Sequence, residues 1–253
     1  MKHILAVLSL IFLVSCTHSN NQQSSEQGTG LVVPTRQLDL PADRYNVAFL
    51  IMDGVYNTEL TAPYDIFQHT IFRDSIKPMN VFTVANTNAV VTSFEGIRLL
   101  PDFNYLLDAL PRIDILVVPS AEHHLDTDLE DEAMLQFIRE VDREAMFVTS
   151  HCDGAFVLAK AGLLDGVEST TFPSDVAAYR EMFPMLKVHE DVIFVHDGKY
   201  ITSAGGARSF DAALYLCEVL YGKQVARRLA QGLVIDWDVA KVPHVVANSA
   251  STK

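Results

Sequence analysis

The sequence predicts one α/β domain in which a doubly wound, mostly parallel sheet carries helices on both faces. Three observations predict it: short β-rich runs alternate with segments of helical periodicity, one apolar strand runs straight into a helix through a polar turn, and one hairpin signal interrupts the alternation. The β-rich runs lie at 47–52, 81–85, 113–119, 146–150 and 200–203. Helical periodicity covers 60–72, 134–141, 154–161 and 209–221. In 209–221, Phe210, Ala213, Leu214, Cys217 and Leu220 share the spacing of a buried face, so Cys217 reads as a small core hydrophobe. The hairpin is Val192-Ile193-Phe194-Val195, then the turn pair Asp197-Gly198, then Tyr200-Ile201. The acidic run 126–132 reads as the solvated start of the helix that follows it.

The amino terminus has a different character. Lys2 and His3 precede an apolar run over 4–14 that is too short to span a bilayer as a mature helix, which marks residues 1–15 as a signal peptide. The run closes on Leu13-Val14-Ser15-Cys16, a bacterial lipobox pattern, so Cys16 is the expected lipidation site and first residue of the mature protein. From Thr17 to Gly28 no apolar side chain is available for burial, and 16–44 is expected to be a disordered tether. The folded domain is then 45–233, about two hundred residues and enough for one sizeable core, followed by a tail over 234–253. The expected location is the bacterial cell envelope, facing away from the cytoplasm, with the membrane as a partner through the lipid anchor.

Charge and cysteine count narrow the partners. A formal net charge of -13 opposes a phosphate-binding surface and so disfavours nucleic acid. With Cys16 given to lipid, Cys152 and Cys217 are too few for a disulfide framework. No cofactor signature is present, and His123, His124, His151 and Glu122 lack regular metal-ligand spacing, so no metal is expected.

In a doubly wound sheet, ligands sit beyond the carboxyl ends of the strands. Three places qualify. The strand at 146–150 enters its helix through His151-Cys152-Asp153-Gly154, the shape of a nucleophile elbow. Cys152 is the expected nucleophile, with the following helix amino terminus favouring its thiolate, while the Asp153 carboxylate disfavours it. After the first strand, Asp53 reads as a turn residue and Glu59 as an acid facing the cysteine, its pKa raised, able to donate a proton. After the third, the turn Pro119-Ser120-Ala121 presents backbone N–H groups toward the cysteine as an oxyanion hole.

These segments resemble the DJ-1/PfpI (ThiJ/PfpI) family of the class I glutamine amidotransferase-like, flavodoxin-like fold. The likeness covers nearly all of 45–233 and rests on Glu59-Leu60-Thr61-Ala62-Pro63-Tyr64-Asp65-Ile66-Phe67, on Thr149-Ser150-His151-Cys152-Asp153-Gly154-Ala155, on Thr170-Thr171-Phe172 and on Thr202-Ser203-Ala204-Gly205-Gly206. Its isonitrile hydratase branch and the sensor domains of AraC-type regulators are most similar. The resemblance places the family's elbow cysteine on Cys152 and its neighbouring acid on Glu59, and it implies a homodimer. It also marks departures: Asp153 stands where hydratases have threonine, Phe172 replaces a histidine, Ser120-Ala121 replace Gly-Gly, and His151 precedes the cysteine where proteolytic members place a histidine after it. These departures argue against glyoxalase, deglycase and protease activity. Two functions follow: a cysteine-dependent enzyme acting on a small electrophile such as an isonitrile or α-oxoaldehyde, with the amides of Ala121 and Asp153 holding developing charge, or a non-catalytic redox sensor or ligand-binding lipoprotein.

Expression in a bacterium fed radioactive palmitate tests the lipobox. Label on the wild-type membrane fraction and none on Cys16→Ala is the expected result; an unlabelled, freely soluble wild-type protein would reject the anchor.

Overall fold

The computed structural model describes residues 38–247; Cys16, the expected signal peptide and most of the expected tether lie outside the described residues. Among the described residues, twelve strands and six α-helices follow one another as β1 (Tyr45–Leu50), α1 (Asn57–Gln68), β2 (Met79–Ala85), β3 (Val91–Thr92), β4 (Arg98–Leu99), β5 (Phe103–Asn104), β6 (Ile115–Val118), α2 (Glu132–Asp142), β7 (Phe147–His151), α3 (Gly154–Lys160), β8 (Glu168–Ser169), α4 (Val176–Met182), β9 (Lys187–Val188), β10 (Phe194–Asp197), β11 (Tyr200–Ser203), α5 (Ser209–Tyr221), α6 (Lys223–Gly232) and β12 (His244–Val246).

Eight strands form the main sheet in the order β12-β10-β11-β7-β6-β1-β2-β5. Every pairing is parallel except β10 with β11, the hairpin expected at Asp197-Gly198, with Phe194 opposite Ser203. Alternation along β1 divides the core. Val47 and Phe49 join the side chains of α1, α5 and α6 on one face, whereas Ala48 and Leu50 join those of α2, α3 and α4 on the other. A strand buried on both faces has no polar side to show, which is why these runs read as continuous apolar segments. The four strands β1, β6, β7 and β11 lie together at the centre, so their carboxyl ends open onto one region.

Local chemistry adjusts several expected elements. The helix expected over 60–72 begins a turn earlier and tightens into a 3-10 turn at His69–Phe72. The acidic run is not merely solvated: Asp126 caps the 3-10 turn Thr127–Glu130, Leu129 there is buried, and Asp131 Oδ1 accepts the Met134 N–H at 3.0 Å to start α2.

Both ends of the domain extend past 45–233. Leu38 and Leu40 pack against the core face of α2 and α3, and Pro41 O accepts from Asn80 Nδ2 at 3.0 Å. Beyond residue 233, Trp237 is buried and its Nε1 donates to Glu218 Oε2 at 2.7 Å. β12 then joins the sheet edge beside β10, with His244 stacked on Phe194 at a ring separation of 4.8 Å. The tail is mixed in composition because it closes an edge strand and fills a gap beside α5 and α6 with one indole. Trp237→Ala is expected to cost about 3–5 kcal/mol by urea unfolding, the range for emptying a large aromatic site. A loss under about 1 kcal/mol would mean that the tail is not part of the cooperative unit.

Candidate functional site

Cys152 is the residue on which the strand ends converge. It links β7 directly to the first turn of α3 with a φ of 54°, a left-handed conformation that costs a side-chain-bearing residue about 1–2 kcal/mol. Its backbone N–H donates to Ser203 O at 2.9 Å, extending the β7 and β11 pairing by one residue past the strand. Two glycines make the turn possible. A Cβ on Gly205 would lie 2.3 Å from Cys152 Cβ, and one on Gly154 would lie 2.1 Å from Val118 O. The chain therefore approaches itself as closely as backbone allows on both sides of the cysteine.

The neighbouring turns are stitched to the same place. Val55 and Ala121 form an isolated antiparallel bridge, Tyr56 N donates to Ser120 O at 3.0 Å, and Glu122 N donates to Gly54 O at 3.0 Å. Asp53 Oδ1 accepts the Thr92 N–H at 2.8 Å, so Asp53 pins the β3 and β4 hairpin. Glu59, in the first turn of α1, is 7% exposed and its Oε1 accepts the Gly206 N–H at 2.8 Å.

The acid in hydrogen-bond contact with sulfur is Asp153. Cys152 Sγ donates to Asp153 Oδ2 at 3.5 Å, and Thr171 Oγ1 donates to Asp153 Oδ1 at 3.1 Å while lying 3.2 Å from Cys152 O. Burial, the charge of Asp175 and the charge of Glu59 push the Asp153 carboxyl up to about 6, against the opposing pull of the Thr171 and Cys152 hydrogen bonds. Burial, then the charges of Asp153 and Glu59, push the Cys152 thiol far above its ordinary range. The Ser120 hydroxyl and the Asp153 N–H oppose that rise in part. This is the reverse of the thiolate expected from the helix amino terminus: α3 is a short helix, and two nearby carboxylates and loss of water outweigh its dipole. Cys217 is fully buried, and burial alone raises its thiol likewise.

Other expected site residues take different places. The Ala121 N–H donates to His124 Nδ1 at 3.2 Å, so this amide serves the turn and not the sulfur. His124 is completely buried, and burial lowers its pKa to about 3, which keeps the acceptor nitrogen unprotonated. His151 is also buried and lowered to about 3 by that burial, with Nδ1 3.1 Å from Ser203 Oγ inside the sheet. Phe172 follows Thr171 at the rim and is 38% exposed. Ser120 is fully buried, and its hydroxyl faces the Cys152 sulfur as the hydrogen-bond partner that opposes the rise of the thiol. Among the described residues, no group of three or more His, Cys, Asp or Glu side chains is arranged to hold a metal. Tyr56, Thr171 and Gly206 complete the site; the sequence carries no signal for Tyr56, which reaches the site through the bridge between Val55 and Ala121.

The Asp153 shift has a consequence for stability. The fold favours the neutral acid, so this contribution is fully present below the unfolded value of 3.8 and is lost as pH rises through about 6. Asp153→Asn, which mimics the neutral acid, is expected to be about 1–3 kcal/mol more stable than wild type at pH 8 and about equal at pH 4. A less stable variant at pH 8 would contradict the shift.

Comparison with known proteins agrees with this architecture. Residues 45–219 match the DJ-1/PfpI family model. Isonitrile hydratase of Pseudomonas putida is 33% identical over 184 residues, covering 72% of this chain and 74% of that protein. The HTH-type transcriptional regulator CdhR of Pseudomonas aeruginosa is 37% identical over 103 residues, 41% of this chain and 30% of that protein. A ThiJ/PfpI family protein from Pseudomonas syringae shares the fold with a TM-score of 0.67 at 24% identity, over 81% of this chain and 84% of that one. The strand order, the elbow and the sequence match together make this chain a member of the DJ-1/PfpI family.

Proposed function

We propose that this protein is a lipid-anchored, homodimeric hydratase of the cell envelope that adds the Cys152 thiol to a small electrophile of the isonitrile type. The observation that carries the reading is the contact between Cys152 Sγ and Asp153 Oδ2, the oxygen of a carboxyl that burial pushes up to about 6. Addition to an isonitrile requires a nucleophile and a proton at the same carbon. A neutral thiol beside a carboxylate of near-neutral pKa supplies both.

In this scheme the Asp153 carboxylate takes the Sγ proton as sulfur bonds to the isonitrile carbon, then returns the proton to that carbon to give a thioimidate. Water adds to the same carbon, the carbon–sulfur bond breaks, and the thiol regains its proton. The net reaction is isonitrile plus water to an N-substituted formamide, with no oxidation or reduction. Glu59 holds the Gly205-Gly206 turn against the elbow through Gly206 N–H. The similarity to isonitrile hydratase supports the substrate class.

A ligand-binding protein without turnover is the second reading, favoured by the raised thiol. Redox sensing fits less well, because oxidation by peroxide proceeds through the thiolate.

Formamide production from a panel of small isonitriles separates these readings. Wild type should turn over at least one; Cys152→Ser should lose the activity, and Asp153→Asn should lose about 100-fold or more. The kcat/KM of wild type should fall as pH drops through about 6, where Asp153 becomes protonated and cannot accept the thiol proton. Turnover surviving in Cys152→Ser would reject the mechanism, and binding without turnover would establish the second reading. A single-chain mass by light scattering would remove the dimer from the proposal.

A further inference from the structure

The hydration scheme moves a proton on and off Asp153, which has two carboxyl oxygens, and a neighbouring hydroxyl distinguishes them. Thr170 and Thr171 follow β8 and are each 1% exposed. Thr170 is tied on two sides: its N–H donates to Thr202 Oγ1 at 2.9 Å, and its hydroxyl donates to His189 O at 2.8 Å. Beyond Thr171, the Asp175 N–H donates to Phe172 O at 3.0 Å and closes the turn ahead of α4. Thr171 therefore lies in a strap fixed at both ends, and its hydroxyl meets the elbow in a set position.

That hydroxyl has one proton and two acceptors within reach, Asp153 Oδ1 at 3.1 Å and Cys152 O at 3.2 Å. It serves one of them at a time. The ionised carboxyl wins, because a hydrogen bond to a charged oxygen is roughly twice as strong as one to a neutral carbonyl. Cys152 O also has the Ala155 N–H at 3.4 Å, so it keeps a donor when the hydroxyl turns to Asp153. With Oδ1 occupied, the oxygen open to sulfur is Oδ2, 3.5 Å from Sγ. A proton on Oδ1 would point at Thr171 and away from the attacked carbon, whereas a proton on Oδ2 lies where the thiol releases it.

We propose that Thr171 is a positioning residue: its hydroxyl holds Asp153 Oδ1 and thereby makes Oδ2 the oxygen that takes the proton from sulfur and gives it back. The part in turnover rests on the hydratase reading; the bond to Oδ1 stands on geometry alone. The titratable groups that face Asp153 are Cys152 on its own elbow, Glu59 and Tyr56 at the head of α1, and Asp175 ahead of α4. None of them is a cation. The Thr171 bond thus favours the ionised carboxyl in surroundings that oppose ionisation. Its removal favours the neutral acid, so the carboxyl titrates at higher pH and turnover begins at higher pH.

Two readouts keep failure of the bond apart from failure of the hydration scheme. The first needs no turnover: a carbon-13 NMR titration of the full-length protein labelled at aspartate, with the Asp153 signal assigned from Asp153→Asn. Thr171→Val, which keeps the side-chain shape and removes the hydroxyl, should move that titration up by about one pH unit. Thr171→Ser should return it to the wild-type position, and Thr171→Ala should reproduce the upward move if the valine variant does not fold. The second readout is the pH profile of formamide production. Thr171→Val should lower kcat about tenfold with KM within about twofold, and the acid limb should move up with the NMR titration; Thr171→Ser should restore both. An Asp153 titration unmoved by loss of the hydroxyl, or a serine variant that titrates like valine, would overturn the inference. A wild type that turns over no isonitrile would reject the hydratase reading and with it the part of Thr171 in turnover, while an upward move in the NMR titration would still establish the bond.

Discussion

The fit between Gly205 and Cys152 holds the site together. No side chain can stand at Gly205, since even a Cβ would meet Cys152 Cβ at 2.3 Å. This contact brings the turn after β11 against the elbow after β7, and the Gly206 N–H that follows then fixes Glu59 at the head of α1. On the opposite side, the close approach of Gly154 to Val118 O sets α3 directly over the end of β6. The left-handed backbone of Cys152 persists because packing on both flanks leaves it no other conformation, which is how strained residues are retained at functional sites.

That enclosure determines the electrostatics. A cysteine at a strand-to-helix turn is often read as a thiolate, and an exposed elbow with a long helix behind it would justify the reading. Here the sulfur is largely removed from water and shares its surroundings with Asp153 and Glu59. The same enclosure lifts Asp153 toward neutrality. The result is a thiol that keeps its proton until a substrate arrives and a carboxylate suited to moving it. Such a pair favours electrophiles that need a proton at the attacked carbon over those that need only a strong anion.

Much of the architecture was legible from periodicity. The helix over Ser209–Tyr221 and the strand Tyr200–Ser203 have the bounds that their apolar spacing suggests, and the Asp197-Gly198 turn marks the one antiparallel pairing within the described main sheet. The elbow was legible because an apolar strand, a polar turn and a glycine occur in that order around Cys152. The role of Ala121 was not, since its N–H is taken by His124 three residues on, a local bond that adjacent histidines do not advertise. Nor was the packing of the tail, where a single indole and a three-residue strand carry contacts that depend on β10 and α5 being in place. The balance at Cys152 was legible only in part: adjacency revealed Asp153 as an opposing charge, but burial, the larger cause, depends on the assembled strand ends.

The protonation state of Cys152 is the claim on which the chemistry rests. The direct measurement is the rate of iodoacetamide alkylation at each cysteine as a function of pH, read by mass spectrometry. The structure predicts that Cys152 reacts slowly at neutral pH, that its rate climbs without levelling past the ordinary thiol value of about 8.5, and that Asp153→Asn accelerates it. Rapid labelling of Cys152 near neutral pH, levelling off below that value, would show a stable thiolate and contradict the account.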